Sequence, residues 1–306
     1  MLICFSLSLY LDILENNSYD IYMAFATSHQ LNRYYTLYKD IDVTFSKEVV
    51  SVLNFDPRQT FVRCSEGQWP CIINSVSMTK AKIICGKQSG IIEKLKSGIT
   101  SVNIRFTFFS PESKDTLSFF VAAKLIGISS YDAGEANLVL INFEYTQRAP
   151  DDLIEKLGML LEANINSKKR ESERIVLSAD TARKINLVQK ETVVLIDNVP
   201  RRCILRDISF SGAKVFLVGV ANFLVNKDVT IKFTFEDPNA ILTIRGKSLR
   251  AEPVEGRKDL IAIAVQYYPK EIPMSYKLYL NRYFSLIRKS SSEDGSDQDE
   301  QFLTDN

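Results

Sequence analysis

The chemistry this chain can do is concentrated in two short stretches of its second half. Arg170 and Arg174 frame RESER, an RxxxR, and further on Asp207, Ser209 and Gly212 mark DISFSG, a DxSxxG. An arginine guanidinium donates two parallel hydrogen bonds to a phosphate or to the O6 and N7 edge of a guanine, and it also stacks on the base. Lysine supplies charge without that fork, which makes Lys169 a secondary candidate beside Arg170. Asp207 can accept from amide-like N–H groups of a base, and Ser209 can donate or accept at a phosphate or a base edge. Gly212 permits a positive φ, or close approach of a ligand where a Cβ would clash.

Each stretch also has a plainer reading. Arg170 and Arg174 can stand as solvated charges beside Glu171 and Glu173, and Asp207 and Ser209 can satisfy a hairpin turn through side-chain-to-backbone bonds. The RxxxR spacing recurs at Arg202 and Arg206. Those two flank Ile204 on one strand face, and no hairpin fits between Arg206 and Asp207, so they read as solvated wall. Catalytic vocabulary is sparse elsewhere. A single histidine, His29, leaves little for a nucleophilic triad or a His-based metal centre. The five cysteines, Cys4, Cys64, Cys71, Cys85 and Cys203, are odd in number and lack CxxC spacing. That argues against a disulfide framework or a zinc site and for reduced cytoplasmic thiols. No enzyme activity, cofactor or metal is expected.

The elements around the two stretches read as short strands. In the second half these are 174–179, 191–196, 202–208, 213–218, 229–235, 241–249 and 260–267, and Ile231, Phe233 and Phe235 alternate with Lys232 and Thr234. Turn-marked strands at such intervals predict an antiparallel barrel. After Glu271 the period changes: Ile272, Tyr276, Tyr279, Leu280, Tyr283, Phe284 and Ile287 predict an amphipathic helix ending near Arg288 and Lys289. The first half repeats the plan. CIINSVSMTKAKII from Cys71 matches CILRDISFSGAKVF from Cys203 at five of fourteen positions, IRFTF from Ile104 answers IKFTF from Ile231, and 138–143 resembles 260–265. A helix with Leu153, Leu157, Leu160 and Leu161 follows. Three correspondences in one order predict a duplicated barrel, the fold being mainly β. The linker falls at 164–169, polar and rich in residues that end helices.

Together the RxxxR and DxSxxG resemble the signature motifs of the PilZ family of cyclic di-GMP receptors, over 168–289. The first half is similar to the accessory domain of two-domain members of the PlzA type. The resemblance implies two tandem PilZ-like antiparallel β-barrels, each followed by an amphipathic helix. It also implies cyclic di-GMP as ligand of Arg170, Arg174, Asp207, Ser209 and Gly212, with Lys169 as a further contact. In the first repeat Ser75, Ser77 and Lys80 stand where Asp207, Ser209 and Gly212 do, and no RxxxR precedes them, so that barrel is expected not to bind. The organisation expected is an uncertain extension at 1–22, a degenerate domain at 23–166, the ligand-binding domain at 167–289 and a disordered acidic tail at 290–306.

Charge agrees with an anionic ligand. The chain carries a net +1, but 290–306 holds six acids and no base, so the rest has 38 basic side chains against 31 acidic ones. The apolar start lacks a basic region, is too short to span a membrane, and is equally well explained if Met23 is the initiator. A cytoplasmic receptor results, in which the ligand orders a loosely held basic segment, 167–174, and resets the angle between barrels for a downstream protein or nucleic acid. Two other readings stay open on the residues: a nucleic-acid-binding barrel, with steep salt dependence, and an interaction scaffold indifferent to the nucleotide.

Overall fold

The computed structural model describes residues 26–109, 116–131, 137–236 and 239–299. The expected 1–22 extension and the end of the acidic tail lie outside the described residues. In the second half, β10 (Glu191–Ile196), β11 (Val199–Ile208), β12 (Gly212–Val218), β13 (Asp228–Phe235), β14 (Ala240–Val254) and β15 (Arg257–Tyr267) pair antiparallel in the order 10-13-14-15-12-11. A further β10–β11 pairing closes the ring into a six-stranded barrel, which leaves no free edge among these strands. The alternation foreseen in β13 is the reason it closes: Val229, Ile231, Phe233 and Phe235 fill the interior while Lys232 faces out. Each such side chain buried contributes about 1.5–3 kcal/mol.

A two-residue strand, β9 (Ile175–Val176), adds to β11 outside the ring. The strand expected at 174–179 is cut short there because Ser178 and Thr181 form a capping box that starts helix α5 (Ala179–Lys184). Two other elements that periodicity did not announce lie near the start of the first half: α1 (Ser28–Tyr38) and α2 (Lys47–Val52).

The first half is the same object. β1 (Val43–Thr44) pairs β4 (Ile72–Val76) as β9 pairs β11. β2 (Phe61–Cys64), β3 (Gly67–Pro70), β5 (Lys80–Gly86), β6 (Ser101–Phe109), β7 (Thr116–Ser130) and β8 (Leu138–Tyr145) complete an antiparallel sheet in the order 1-4-5-8-7-6-2-3. β3 and β4 together, interrupted at Cys71, do the work of β11. The registers agree residue for residue with the sequence repeat: Val62 pairs Ile104 as Val194 pairs Ile231, and Ile83 pairs Ile141 as Val215 pairs Ile263. Even the bulge recurs, between Ile73 and Ser75 and between Leu205 and Asp207. A short helix, α3 (Gly90–Lys96), fills one end.

Each barrel is followed by a helix, α4 (Asp151–Lys169) and α6 (Met274–Asp299). The polar stretch 164–169, expected to be a loose linker, is instead the last turn and a half of α4. Tertiary contacts override its weak helix propensity: Ser167 is buried and the Asn166 amide donates to Asn281 on α6 at 2.6 Å, while the Ser167 hydroxyl donates locally to the Asn164 carbonyl of the preceding turn. α4 is therefore the joint. Its Leu153, Ile154, Leu157 and Leu160 face the first barrel, and α1 crosses so close that a Cβ at Gly158 would stand 2.2 Å from the Tyr34 ring. Glu162, almost wholly buried, pairs with Arg33, accepts from Tyr34 at 3.0 Å and from Asn281 at 3.4 Å, so three helices share one satisfied carboxylate. α6 continues past Arg288 and Lys289, where the sequence reading ends it, to Asp299. Among the described residues no helix is long and apolar enough to cross a membrane.

Candidate functional site

The two motifs meet where α4 hands the chain to the second barrel. Arg170 is the C-cap of α4, its N–H donating to the Asn166 carbonyl at 2.9 Å. Lys168 and Lys169 precede it at the negative end of the helix dipole, both exposed. A turn follows, closed by the Glu173 N–H on the Arg170 carbonyl (3.0 Å). This geometry folds the Arg170 guanidinium onto the Glu173 carboxylate, at 2.9 and 3.2 Å, and over the Phe284 ring of α6, 5.1 Å from its centroid. Arg174 leaves the turn toward the barrel and donates to Asp207 Oδ1 at 2.5 Å. First and second motif are thus joined by an ion pair. Asp207 keeps only 12% of its side-chain surface exposed, Arg174 47%. The bulge at Arg206 aims Asp207 there, since an extra residue breaks the in–out alternation of β11. Arg202 and Arg206 lie exposed on the outer wall with Ile204, as expected.

The turn itself is built by Ser209 and Gly212. Ser209 N–H donates to the Gly212 carbonyl (2.8 Å), Gly212 N–H donates to Ser209 Oγ (3.1 Å), and Ser209 is buried. Its hydroxyl is therefore committed to the backbone and shapes the turn. Gly212 has no left-handed φ, and a Cβ there would stand 2.3 Å from the Val265 carbonyl oxygen of β15. Close strand approach calls for glycine there.

One residue that the motif reading passed over connects the parts. Ser211 Oγ donates to the Glu171 carbonyl at 2.7 Å, tying the turn to the arginine segment, while its own carbonyl accepts from Tyr267 N–H at 2.8 Å. The signal was in the repeat: Thr79 occupies the same place, donates to the Lys39 carbonyl, and accepts at its carbonyl from Tyr145 N–H.

That internal copy separates scaffold from chemistry. Ser77 repeats the bonds of Ser209, with its N–H on the Lys80 carbonyl (2.9 Å) and its Oγ accepting from Lys80 N–H (3.0 Å). Counting from the paired strands β1 and β9, however, Tyr38 and Asp42 stand in place of Arg170 and Arg174. Ser75 replaces Asp207, and Lys80 replaces Gly212. Asp42 pairs with Lys82 at 2.5 Å. One arginine position is neutral and the other carries a carboxylate paired with Lys82, so the first corner lacks the guanidinium forks that the second presents. Among the described residues no cluster of His, Cys, Asp and Glu could hold a metal ion.

The sequence profile of the PilZN3 domain matches residues 29–164, and that of the PilZ domain matches 168–284. A protein of Treponema denticola named cyclic di-GMP binding protein is 71% identical over 283 residues, covering 92% of this chain and 89% of that protein. Two solved structures are similar. The Borreliella burgdorferi PlzA protein in complex with c-di-GMP shows 23% identity and a TM-score of 0.39, with 84% of this chain and 99% of that one covered. Escherichia coli YcgR in complex with c-di-GMP shows 14% identity and a TM-score of 0.28, with 81% and 93% covered.

Proposed function

From the premise that the chain belongs to the PilZ family, we propose that it is a cyclic di-GMP receptor: it binds the second messenger at the corner formed by 170–174 and 207–212 and changes the arrangement of its two domains when it does. The observation that carries the reading is the pairing of Arg174 with Asp207, which brings both motifs to one corner of the second barrel in a chain so similar to a named cyclic di-GMP binding protein. Arg170 and Arg174 take the phosphates and guanine edges, and Asp207 takes the guanine N1–H and N2–H. Ser209 and Gly212 hold the turn, and Lys169 supplies a screened second-rank charge. To receive a dianion, Arg170 must leave Glu173 and Phe284. Because it caps α4, that movement acts on the helix shared by both domains. In this reading the protein is cytoplasmic and not an enzyme, the first barrel keeps the fold without a ligand, and the rearranged domains engage a downstream protein or nucleic acid.

Thermal denaturation of the full chain tests the binding step. A ligand at 100 times its dissociation constant adds about 2.7 kcal/mol to the state that binds it. Cyclic di-GMP should raise Tm by several degrees where GTP at equal concentration does not. Equal shifts with both, or none with either, would refute the receptor reading. Spin labels on the two barrels should change their separation on ligand addition, and an unchanged distance would remove the domain rearrangement.

A further inference from the structure

Both barrels end on a buried tyrosine, Tyr145 closing β8 and Tyr267 closing β15, and each binds the neighbouring turn through its N–H in the same way. Their hydroxyls fare differently. The Tyr145 hydroxyl is buried with no hydrogen-bond partner. The Tyr267 hydroxyl lies 3.4 Å from that of Tyr276, and Tyr276 donates to the Ser209 carbonyl at 2.9 Å. The difference has a single origin. Tyr276 is the third residue of α6, directly after Pro273 and two helical residues, and the third residue of α4, after Pro150, is Leu153. Both side chains are fully buried, each in the core of its own barrel. The helix thus carries a phenol where the turn holds Asp207 and Gly212, and a leucine where it holds Ser75 and Lys80.

We infer that Tyr276 is a positioning residue of the proposed nucleotide site, fixing the Ser209 peptide so that the 207–212 turn holds Asp207 against Arg174. A role in the fold alone does not account for it, since the first barrel builds the same turn, with the same Ser77 and Thr79 bonds, without any such phenol. The first barrel even tolerates an orphaned tyrosine hydroxyl, a buried polar group left without a partner. Burial pushes the phenols of Tyr267 and Tyr276 above their usual range, so both remain neutral donors at any ordinary pH. The placement also gives the site a direct line to the domain joint. The residues around Tyr276 on α6 hold the first domain: Met274 N–H donates to Glu48, Lys277 to Asn164 at 3.2 Å, and Asn281 accepts from Asn166. One helix therefore touches the turn with Tyr276, Arg170 with Phe284, and the neighbouring domain with Met274, Lys277 and Asn281.

The inference rests on the receptor reading for its purpose, and the experiment separates the two. In full-length Tyr276→Phe without ligand, amide exchange at Ser209, Ser211 and Gly212 should quicken about tenfold while the β13 and β14 amides stay as in the parent, the loss of one buried hydrogen bond being worth about that order. Calorimetric titration with cyclic di-GMP, at a temperature where the variant is folded, should give an affinity about five- to tenfold weaker, with Tm lowered by about 3–8 °C. Tyr145→Phe, which removes only the orphaned hydroxyl, should alter neither. Unchanged turn exchange in Tyr276→Phe, or parental affinity in it, would overturn the positioning role. If the parent itself does not bind cyclic di-GMP, the receptor reading fails, and the exchange measurement alone decides whether Tyr276 holds the turn.

Discussion

Replacing Arg174 by alanine removes the one ion pair that joins the two motifs, and its cost can be worked from the geometry. The lost contact is short, 2.5 Å, and unequal in exposure: Asp207 is nearly buried while Arg174 is half open to water. A fully exposed pair is worth at most about 1 kcal/mol, whereas stripping one partner from a buried pair costs about 3–5 kcal/mol. Discounting for the solvent at Arg174, the loss is about 2 kcal/mol, because Asp207 is left as an uncompensated carboxylate. For a domain of this size that lowers Tm by about 5–10 °C. The assay is thermal unfolding followed by circular dichroism on Arg174→Ala, Asp207→Ala and the double variant. The double variant should regain part of the loss, since it buries no orphaned charge, giving a coupling energy of about 1–2 kcal/mol. Strictly additive losses, or an unchanged Tm in Arg174→Ala, would refute the claim that this pair organises the corner.

Arg170→Ala should leave Tm within about 2 °C, its partner Glu173 being exposed, yet weaken cyclic di-GMP binding by about 10- to 100-fold, as for a charge-assisted bond; calorimetry reads both. Gly212→Ala should destabilise the second barrel by about 1–3 kcal/mol, seen as a lower urea midpoint, because the Val265 carbonyl must retreat from the new methyl. Burial pushes the thiols of Cys71 and Cys203 up to about 12 and that of Cys85 up to about 11, the nearby Cys85 adding to the effect at Cys71. These thiols stay protonated in the folded chain while unfolded ones ionise near 8.5, so stability present below that pH should fall as pH rises from about 9 toward 12. In the folded protein at pH 8 all three should react with iodoacetamide far more slowly than in urea.

The barrel interior was readable in advance because alternation at Ile231, Phe233 and Phe235 is a local signal, and the duplication because Cys71 and Cys203 open nearly matching segments in matching register. The site was half readable. Arginine spacing and the turn motif picked out two stretches that the structure brings to one corner, but which arginine meets Asp207 depends on where α4 ends, and that is decided by contacts with α1 and α6. The polar 164–169 stretch reads as a helix terminator by composition, yet Asn166 is held by a partner more than a hundred residues away and Ser167 by burial and a bond to the preceding turn of its own helix. Ser209 and Gly212 read from the motif as ligand contacts, and nothing in their spacing announces the part they play in building the turn. Their geometry engages the hydroxyl with the backbone and the missing Cβ with a neighbouring strand. Tyr276 was seen only as one apolar position of an amphipathic face, because its hydroxyl finds Ser209 through tertiary packing that no periodicity records.

The central claim is that a guanine nucleotide with two phosphodiesters binds through the arginine corner of the second barrel. Isothermal titration of cyclic di-GMP into the full chain and into its Arg170→Ala/Arg174→Ala double variant tests it most directly. Saturable binding to the parent, with loss of about 2–4 orders of magnitude in a double variant that is folded at the titration temperature, is the result predicted from two charge-assisted contacts. Parental affinity in that folded double variant would contradict it.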